Sequence, residues 1–340
     1  MLYTLKYINQ NPQECKRLLG LEPQQLHNLI EQGIILQKQH QQNREKEKVR
    51  IIRAGGGKAP KLTEEEQIIL TLMYLRQHLT FQVLGLLFQV SESTANNIFH
   101  HWQMLFREGL SGSLLEQVKK SQEDEVIVKE LLTEYELIID SEEQARERPG
   151  EYQKQKACYS GKKKSHTFKN QVIVLPRGED IVDIVAGELG PKSDLRIAQE
   201  SLRKFHSDQR FSGDKAYQGE SQIKSPQKKP KNGELNSQQK QQNKLLSSQR
   251  VFVEHVIRVF KIFRVAQERF RLRTECYTDV MMTIGSLVRL RIGALKLELV
   301  KEEKSGKTIT VNMAHKFTNQ LKSLASIPHG FVANPEVILE

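Results

Sequence analysis

The sequence predicts an all-α amino-terminal region followed by an α/β core, in which a mixed sheet is flanked by helices. Three observations support this division. Before residue 120, apolar side chains recur at the spacing of amphipathic helices, whereas from Glu136 onward short β-branched runs alternate with helical segments. The length of 340 residues also corresponds to roughly two or three domains of ordinary size.

Charge and cysteine content narrow the classes of function. The chain carries 52 Lys and Arg against 41 Asp and Glu, a net charge of +11, which favours a polyanionic partner. Its three cysteines are far apart and form no CxxC or Cys/His pattern, which argues against a zinc site or a disulfide framework. The sequence has no signal peptide and no apolar stretch long enough to span a membrane, so we expect a soluble cytoplasmic protein.

The amino-terminal part of the chain divides into three segments. Residues 1–53 have the pattern of a hydrophilic helical region, and the Gly-rich basic stretch 54–61 is typical of a linker. Thr63, followed three residues later by Glu66, forms a capping box that predicts the start of a helix. A helical domain is therefore predicted over residues 62–120.

Within this domain, residues 80–88, a short turn and residues 94–106 have the pattern of a helix-turn-helix. Gly85 would allow the two helices to approach closely, and the second helix would lie in the major groove of DNA. The alternative is that both helices belong to the core of an all-α domain. The outward polar residues of the second helix, which are the candidates for reading bases, are Ser93, Thr94, Asn96, Asn97 and His101.

The α/β core is predicted over residues 130–295. Its first strand, Leu137–Asp140, ends in a carboxylate, and a later short strand, Arg210–Asp214, ends in a second one. Two further strands and a helix over 194–205 are predicted between them. Catalytic groups usually lie at the carboxyl ends of strands in such sheets, although a lone aspartate there is more often a helix cap or a turn residue.

A third carboxylate, Glu254, lies in a long helix predicted from about Ser248 to Arg271. On a helical wheel the polar face carries Arg250, Arg258 and Lys261 around the glutamate, and the opposite face is apolar and would pack on the sheet. The alternative is a solvated surface helix, in which each ion pair contributes only about 0.2–0.5 kcal/mol.

Three neighbouring carboxylates repel one another, and a divalent cation relieves that repulsion. Hard oxygen ligands suit Mg²⁺ or Mn²⁺. Two such ions can activate a water and stabilise the leaving oxygen of a phosphodiester. If Asp140, Asp214 and Glu254 converge in the fold, the pattern therefore predicts metal-dependent cutting or rejoining of nucleic acid.

Five blocks of sequence, taken in order, resemble the DDE superfamily of bacterial insertion-sequence transposases, specifically the insertion-sequence-five-like group with an amino-terminal helix-turn-helix. The resemblance extends over roughly residues 1–295. The last block fits the family pattern of Arg, three residues, Glu, six residues and Lys. The five blocks are Glu136–Asp140, Tyr159–Lys169, Gly213–Gly219, Lys228–Lys231 and Arg250–Lys261.

The resemblance implies an RNase H-like core in which Asp140, Asp214 and Glu254 are catalytic and hold two Mg²⁺ or Mn²⁺ ions. It also implies that Arg250 and Lys261 bind phosphates of the element's ends. The implied reaction is hydrolysis of a phosphodiester at the end of the element, followed by attack of the freed 3′-hydroxyl on target DNA. A partnership with double-stranded DNA, a homodimer on that DNA and a place at the bacterial nucleoid follow from the same resemblance.

Five further bases are candidate phosphate contacts: Lys163, Lys164, Lys228, Lys229 and Arg258. For Lys163 and Lys164, which precede the second core strand, a charged surface hairpin is an open alternative. Glu142 departs from the family pattern, in which threonine is common two residues after the first aspartate. Residues 296–340 lie outside the resemblance and are predicted to form a polar tail.

Two other functions also stay open: a non-catalytic DNA-binding regulator derived from a decayed transposase, and a stand-alone metal-dependent DNA nuclease.

Overall fold

The computed structural model describes residues 3–47, 59–122, 124–230, 233–295 and 297. The helices are α1 (Tyr3–Gln10), α2 (Cys15–Leu19), α3 (Pro23–Glu47), α4 (Glu64–Gln77), α5 (Phe81–Phe88), α6 (Glu92–Gly109), α7 (Leu114–Ser121), α8 (Glu125–Leu132), α9 (Tyr152–Cys158), α10 (Asp194–Ser201), α11 (Ser237–Ile262), α12 (Arg264–Gln267) and α13 (Tyr277–Arg291). The strands are β1 (Glu136–Ala145), β2 (Tyr159–Ser160), β3 (Ser165–Val174), β4 (Ile181–Leu189), β5 (Arg210–Ser212) and β6 (Ile223–Lys224).

Two of the predicted segments lie largely outside the described residues. Only the last three residues of the linker at 54–61 and only Leu297 of the tail at 296–340 are described. The positions of the predicted domain boundaries stay predictions. Within the described residues, no helix combines the length and the apolar character that a membrane crossing needs.

Helix α4 begins as the capping box predicts. Thr63 Oγ1 accepts a hydrogen bond from Glu66 N, and Thr63 N donates one to Glu66 Oε2 at 2.9 Å. The apolar residues of α4 belong to one buried cluster with residues of α1–α3, α5 and α6. Trp102 of α6 is fully buried in this cluster and donates from Nε1 to Gln67 Oε1 at 2.9 Å. It is therefore a core residue and not a platform for stacking bases.

Helices α5 and α6 form the predicted helix-turn-helix. Gly85 lies so close to the turn that a Cβ added there would be 2.8 Å from Val90 O. Gln89 ends α5 in the left-handed conformation, with a φ of 55°, at a position where glycine would be unstrained. Ser91 then caps α6 by accepting a hydrogen bond from Thr94 N at 3.1 Å. The tight turn thus fixes how the second helix leaves the first.

The carboxyl-terminal part of the chain contains a mixed six-stranded sheet. Strand β1 pairs antiparallel with β3 and parallel with β5. Strand β3 also pairs antiparallel with β2 and β4, and β5 pairs parallel with β6. One face packs against α11 and α13, and the other packs against α7, α8 and α10. This arrangement confirms the predicted α/β core and agrees with an RNase H-like fold.

Alternation along β1 decides which face of the sheet each of its side chains occupies. Ile138 belongs to the apolar cluster on the side of α11, whereas Leu137 and Ile139 belong to the cluster on the opposite side. Asp140 and Glu142 follow Ile138 by two and four residues. They therefore lie on the face that α11 covers.

The predicted end of the first strand is wrong. β1 does not stop at Asp140 but continues to Ala145, in register with β3. The continuation is possible because its polar side chains have partners inside the fold. Glu142 pairs with Lys261, and Gln144 Nε2 donates to Val265 O at 2.7 Å. Asp140 is consequently held in the middle of a strand and not at a loop.

The predicted limits of the long helix, 248–271, are also wrong. α11 begins earlier because Asn236 and Gln239 form a capping box at its amino terminus. It ends at Ile262, where Phe263 adopts an extended conformation and is fully buried. The ring of Phe263 lies against Gly20, so tertiary packing ends the helix. The predicted apolar face of α11 is nevertheless buried as expected.

A buried arginine joins the helical region to the sheet. Arg289 of α13 makes a bidentate contact with Asp180, with Nε–Oδ1 at 2.6 Å and Nη2–Oδ2 at 2.8 Å. Its Nη1 donates to the carbonyl oxygens of Ser111 and Ser113, which lie between α6 and α7. Gln117 Oε1 accepts a further hydrogen bond from Nη2 at 2.9 Å. The segment that connects the two regions is therefore fixed to the turn before β4.

Candidate active site

Asp140 lies in a buried, polar environment at the centre of β1. Its Oδ1 accepts a hydrogen bond from Ser141 N at 2.9 Å, and its Oδ2 lies 3.4 Å from Arg250 Nη2. Only 16% of the side chain is exposed. Burial raises the pKa of Asp140; the Arg250 guanidinium opposes this rise, and the negative charge of Asp214 adds to it. The two aspartates are therefore close enough for their charges to repel each other.

Asp214 lies two residues beyond the end of β5, the strand that runs parallel to β1, so the prediction that this strand reaches Asp214 is wrong. Its Oδ1 accepts a hydrogen bond from Ala216 N at 2.7 Å and so caps the short 3₁₀ turn that follows. Gly213, just before it, is buried. A Cβ at that position would lie 2.7 Å from the ring of Tyr217 and 3.1 Å from Ile139. The absence of a side chain at Gly213 lets the end of β5 lie this close to β1.

A hydrogen bond ties the two aspartate-bearing segments together. The hydroxyls of Tyr217 and Ser141 lie 2.7 Å apart, and Gln171 Nε2 lies 3.4 Å from the same serine oxygen. Tyr217 is fully buried, and burial raises its pKa, so its hydroxyl keeps its proton. Because Ser141 follows Asp140 and Tyr217 ends the turn begun by Asp214, this contact fixes one segment against the other.

Glu254 projects from α11 and is about half exposed, at 54%. Arg250, one turn earlier, contacts both acids: Nη2 lies 3.5 Å from Glu254 Oε1 and 3.4 Å from Asp140 Oδ2. Its Nε is buried and has no hydrogen-bond partner among the described residues. In this structure Arg250 is thus the positive charge that connects the strand carboxylate with the helix carboxylate.

Glu142 is a second buried acid on the same face of β1. Its Oε2 lies 2.9 Å from Lys261 Nζ, and its side chain is 8% exposed. Burial raises the pKa of Glu142, while the Lys261 ammonium and a hydrogen bond from Asn170 oppose the rise. Each of the two bases singled out in the sequence, Arg250 and Lys261, therefore pairs with a carboxylate of β1, the former with Asp140.

The three predicted acids are brought into one region but are not equally close. Asp140 and Asp214 interact directly through their charges, whereas Glu254 is connected to Asp140 through Arg250. Across the parts of the chain that the structure describes, no three His, Cys, Asp or Glu side chains are grouped closely enough to hold a metal ion. The role of the three acids as metal ligands stays a prediction.

The amino-terminal end of α6 carries the predicted base-reading residues on an accessible surface. Thr94 and Asn97 are exposed, and Asn96 is half-buried. His101 is different, because its Nε2 lies 2.6 Å from Gln37 Oε1 of α3. His101 is half-buried, because Gln37 of α3 lies beside it. The surface available to DNA is therefore the first two turns of α6.

The four candidate lysines outside α11 are exposed in loops. The loop before α11 is attached on both sides: Gln218 Nε2 donates to Pro226 O at 3.0 Å, and Gln227 N donates to Asn243 Oδ1 of α11 at 2.8 Å. That loop therefore lies between α11 and the turn that follows Asp214. The four lysines are Lys163 and Lys164, between β2 and β3, and Lys228 and Lys229, in the loop before α11.

Comparisons with known proteins agree with this architecture. Residues 139–289 match a family model described as DDE superfamily endonuclease, and residues 60–112 match one described as helix-turn-helix of DDE superfamily endonuclease. The probable transposase for insertion sequence element IS702 of Microchaete diplosiphon is 30% identical over 224 residues, which cover 64% of this chain and 76% of that protein. This chain belongs to the DDE-superfamily insertion-sequence transposases. No solved structure matches it.

In this transposase the endonuclease match contains Asp140, Asp214 and Glu254, and the helix-turn-helix match contains the exposed turns of α6. The sequence marked Glu142 only as a departure from the family pattern and did not reveal its contact with Lys261. No local pattern predicts this continuation of the strand, because residues 140–144 are uniformly polar and do not alternate with apolar ones. The two partners are too far apart in the chain for any local pattern to pair them.

Proposed function

We propose that this protein is the transposase of a bacterial insertion sequence, which binds the terminal inverted repeats of its element, cuts the DNA there and joins the freed ends to a target. The observation that carries the proposal is the approach of two aspartates, Asp140 on β1 and Asp214 two residues beyond the end of the parallel neighbouring strand β5. Their mutual repulsion destabilises the fold unless a positive charge compensates it. Two neighbouring carboxylates lower the stability of the fold and serve no structural purpose that other residues could not serve, which favours a catalytic role.

The donor set fits a divalent cation. Each aspartate uses one oxygen to accept a backbone N–H, from Ser141 and from Ala216, which orients its second oxygen. Carboxylate oxygens are the ligands that Mg²⁺ and Mn²⁺ prefer. Asp140, Asp214 and Glu254 would hold the metal. When bound, it would supply positive charge to the reacting phosphate and lower the pKa of an attacking water.

Separate surfaces would bind the DNA. Thr94, Asn96 and Asn97, at the start of α6, would lie in the major groove, where amide side chains can pair with adenine. Arg250 and Lys261 would bind phosphates beside the acids, together with Arg258. Exposed basic loops before β3 and before α11 would extend the phosphate-binding surface. The net charge of +11 favours such binding.

The proposed reaction has two phosphoryl-transfer steps. A water attacks the phosphorus at the element's end, the bond to the 3′ oxygen breaks, and a free 3′-hydroxyl results. That hydroxyl then attacks a phosphodiester of the target, forming a new bond and releasing a target 3′-hydroxyl. Because both ends of an element must be handled together, we propose a homodimer on DNA.

The direct test uses a supercoiled plasmid that carries the element's ends, a second target DNA, and Mg²⁺, Mn²⁺ or EDTA. We expect metal-dependent nicks at the ends and products in which an end is covalently joined to the target. Nicks without joined products would instead identify a stand-alone nuclease. Specific binding with no cut in either metal would identify a non-catalytic regulator.

Arg258→Ala is expected to weaken DNA binding and to reduce its dependence on salt. Arg258 is exposed on α11 and forms no ion pair with any described residue, so its charge is available to a phosphate. Each phosphate contact contributes about 0.9 to the slope of log K against log salt concentration. The slope should therefore fall by about that amount when binding is measured by fluorescence anisotropy.

Lys129→Ala is the matched control for Arg258→Ala. Lys129 lies on α8, on the other side of the sheet, and pairs with Glu125 at 2.8 Å. Its removal should leave the salt dependence unchanged. An equal fall in slope for both variants would mean that only net charge matters, and would remove α11 from the proposed DNA surface.

A further inference from the structure

Two ion pairs connect strand β1 with helix α11 beside the candidate active site. Asp140 lies 3.4 Å from Arg250, and Glu142 lies 2.9 Å from Lys261. Both acids are on the same face of the strand, and both bases are on the polar side of the helix. The shorter contact is the one that involves Glu142. At that separation the carboxylate and the ammonium neutralise each other, so the pair presents almost no net charge to a phosphate.

The two members of the Glu142–Lys261 pair differ in how far their side chains are exposed to solvent. The Glu142 side chain is 8% exposed and lies on the face of β1 that α11 covers, so it is held inside the fold. The Lys261 side chain is 43% exposed, so its ammonium reaches the surface of α11. A phosphate can therefore approach Lys261 from solvent, but it must compete with a carboxylate that is already in place.

Arg258 is a base of α11 whose positive charge is not paired with a carboxylate of the described residues. It lies one turn before Lys261 and is exposed, and no described residue forms an ion pair with it. The two bases therefore lie on one helix face and differ in whether their charge is already compensated. Glu142 causes this difference, because among the described residues it is the acid that lies within 4 Å of Lys261.

We propose that Glu142 competes with DNA phosphate for Lys261 and so limits the contribution of this lysine to DNA binding at the catalytic face. The inference rests on the proposed function, in which that face of α11 binds the element's ends. Removal of the Glu142 charge should free one cation. DNA binding should then become tighter and more dependent on salt.

A double-mutant cycle tests this competition. Binding of a labelled DNA end is measured between 50 and 200 mM salt (about the range over which phosphate contacts are resolved), in EDTA so that no strand is cut. The four proteins are the wild type, Glu142→Gln, Lys261→Ala and the double variant. We expect Glu142→Gln to tighten binding several-fold and to steepen the salt slope by about 0.9. In the Lys261→Ala background, Glu142→Gln should change nothing.

Glu143→Gln is the matched control, because it removes one equally buried carboxylate from the next position of β1. Glu143 lies on the opposite face, where its Oε2 accepts a hydrogen bond from Thr167 Oγ1 at 2.9 Å. It should leave DNA binding unchanged. Glu142→Thr, which also lacks the charge but is smaller, should repeat the effect of Glu142→Gln, and circular dichroism will show that each variant is folded.

Two results would overturn the competition. If Glu142→Gln tightens binding equally with and without Lys261, the acid acts by general repulsion of DNA. If Glu142→Gln weakens binding, the acid positions Lys261 for DNA and does not compete for it. Both results can be recognised only in a protein that binds the ends. Failure of the wild type to bind them at all would refute the proposed function itself, and the inference with it.

Discussion

Asp140→Asn is expected to lower DNA cleavage by about 1000-fold or more while leaving binding to the element's ends nearly unchanged. Loss of a single electrostatic group in a catalytic site commonly costs about 100-fold to 1000-fold. A metal ligand has the larger effect, because the ion and the water that it activates depend on it. Asparagine has almost the same shape and keeps an oxygen that can accept the hydrogen bond from Ser141 N, so the strand should be undisturbed.

The rate of nicking of an end-bearing plasmid in saturating Mg²⁺ measures this effect. Asp208→Asn provides a matched control, since Asp208 is an exposed aspartate whose contact is with His206 at 3.8 Å. It should cut at the wild-type rate. Undiminished cutting by Asp140→Asn would remove Asp140 from the active site, even if the protein proved to be a transposase.

Local signals in the sequence were sufficient for the helix-turn-helix and for four of the strands in the core, but they did not reveal the two-residue strands β2 and β6. The capping box at Thr63 and the turn around Gly85 depend on residues a few positions apart, so their geometry can be read from spacing alone. The β-branched runs likewise predicted β3 and β4. The sequence placed Asp140 and Asp214 at the ends of two short strands, but the pairing of those strands, β1 with β5, is seen only in the structure.

Boundaries and partners depended on contacts between distant parts of the chain, and these could not be predicted. β1 continues past Asp140 because Glu142 meets Lys261, 119 residues later, and α11 ends where Phe263 packs beside Gly20. Neither contact leaves a periodic trace in the sequence. The resemblance to a family identified the motif bases but gave no indication that Glu142 pairs with one of them.

Asp180→Ala is expected to lower the free energy of unfolding by about 3–5 kcal/mol, the usual cost of leaving one member of a buried ion pair without its partner. Arg289 is fully buried, and Asp180 takes both Nε and Nη2 of its guanidinium. Without the carboxylate, the charge would stay inside the fold with only neutral acceptors, among them the carbonyl oxygens of Ser111 and Ser113. Since a typical domain is stable by only about 5–15 kcal/mol, the loss would be a large fraction of the total.

Urea unfolding, followed by the fluorescence of Trp102, measures this effect in the helical region to which Arg289 is connected. Glu179→Ala is the neighbouring control. Glu179 pairs with Arg177 at 3.0 Å near the surface, where such pairs contribute about 0–1 kcal/mol. The double variant Asp180→Ala with Arg289→Met should recover much of the stability, because it removes the unpaired charge as well. If Asp180→Ala were no more destabilising than Glu179→Ala, the guanidinium would have to reach water, and Arg289 could not be the buried link between the helical region and the sheet.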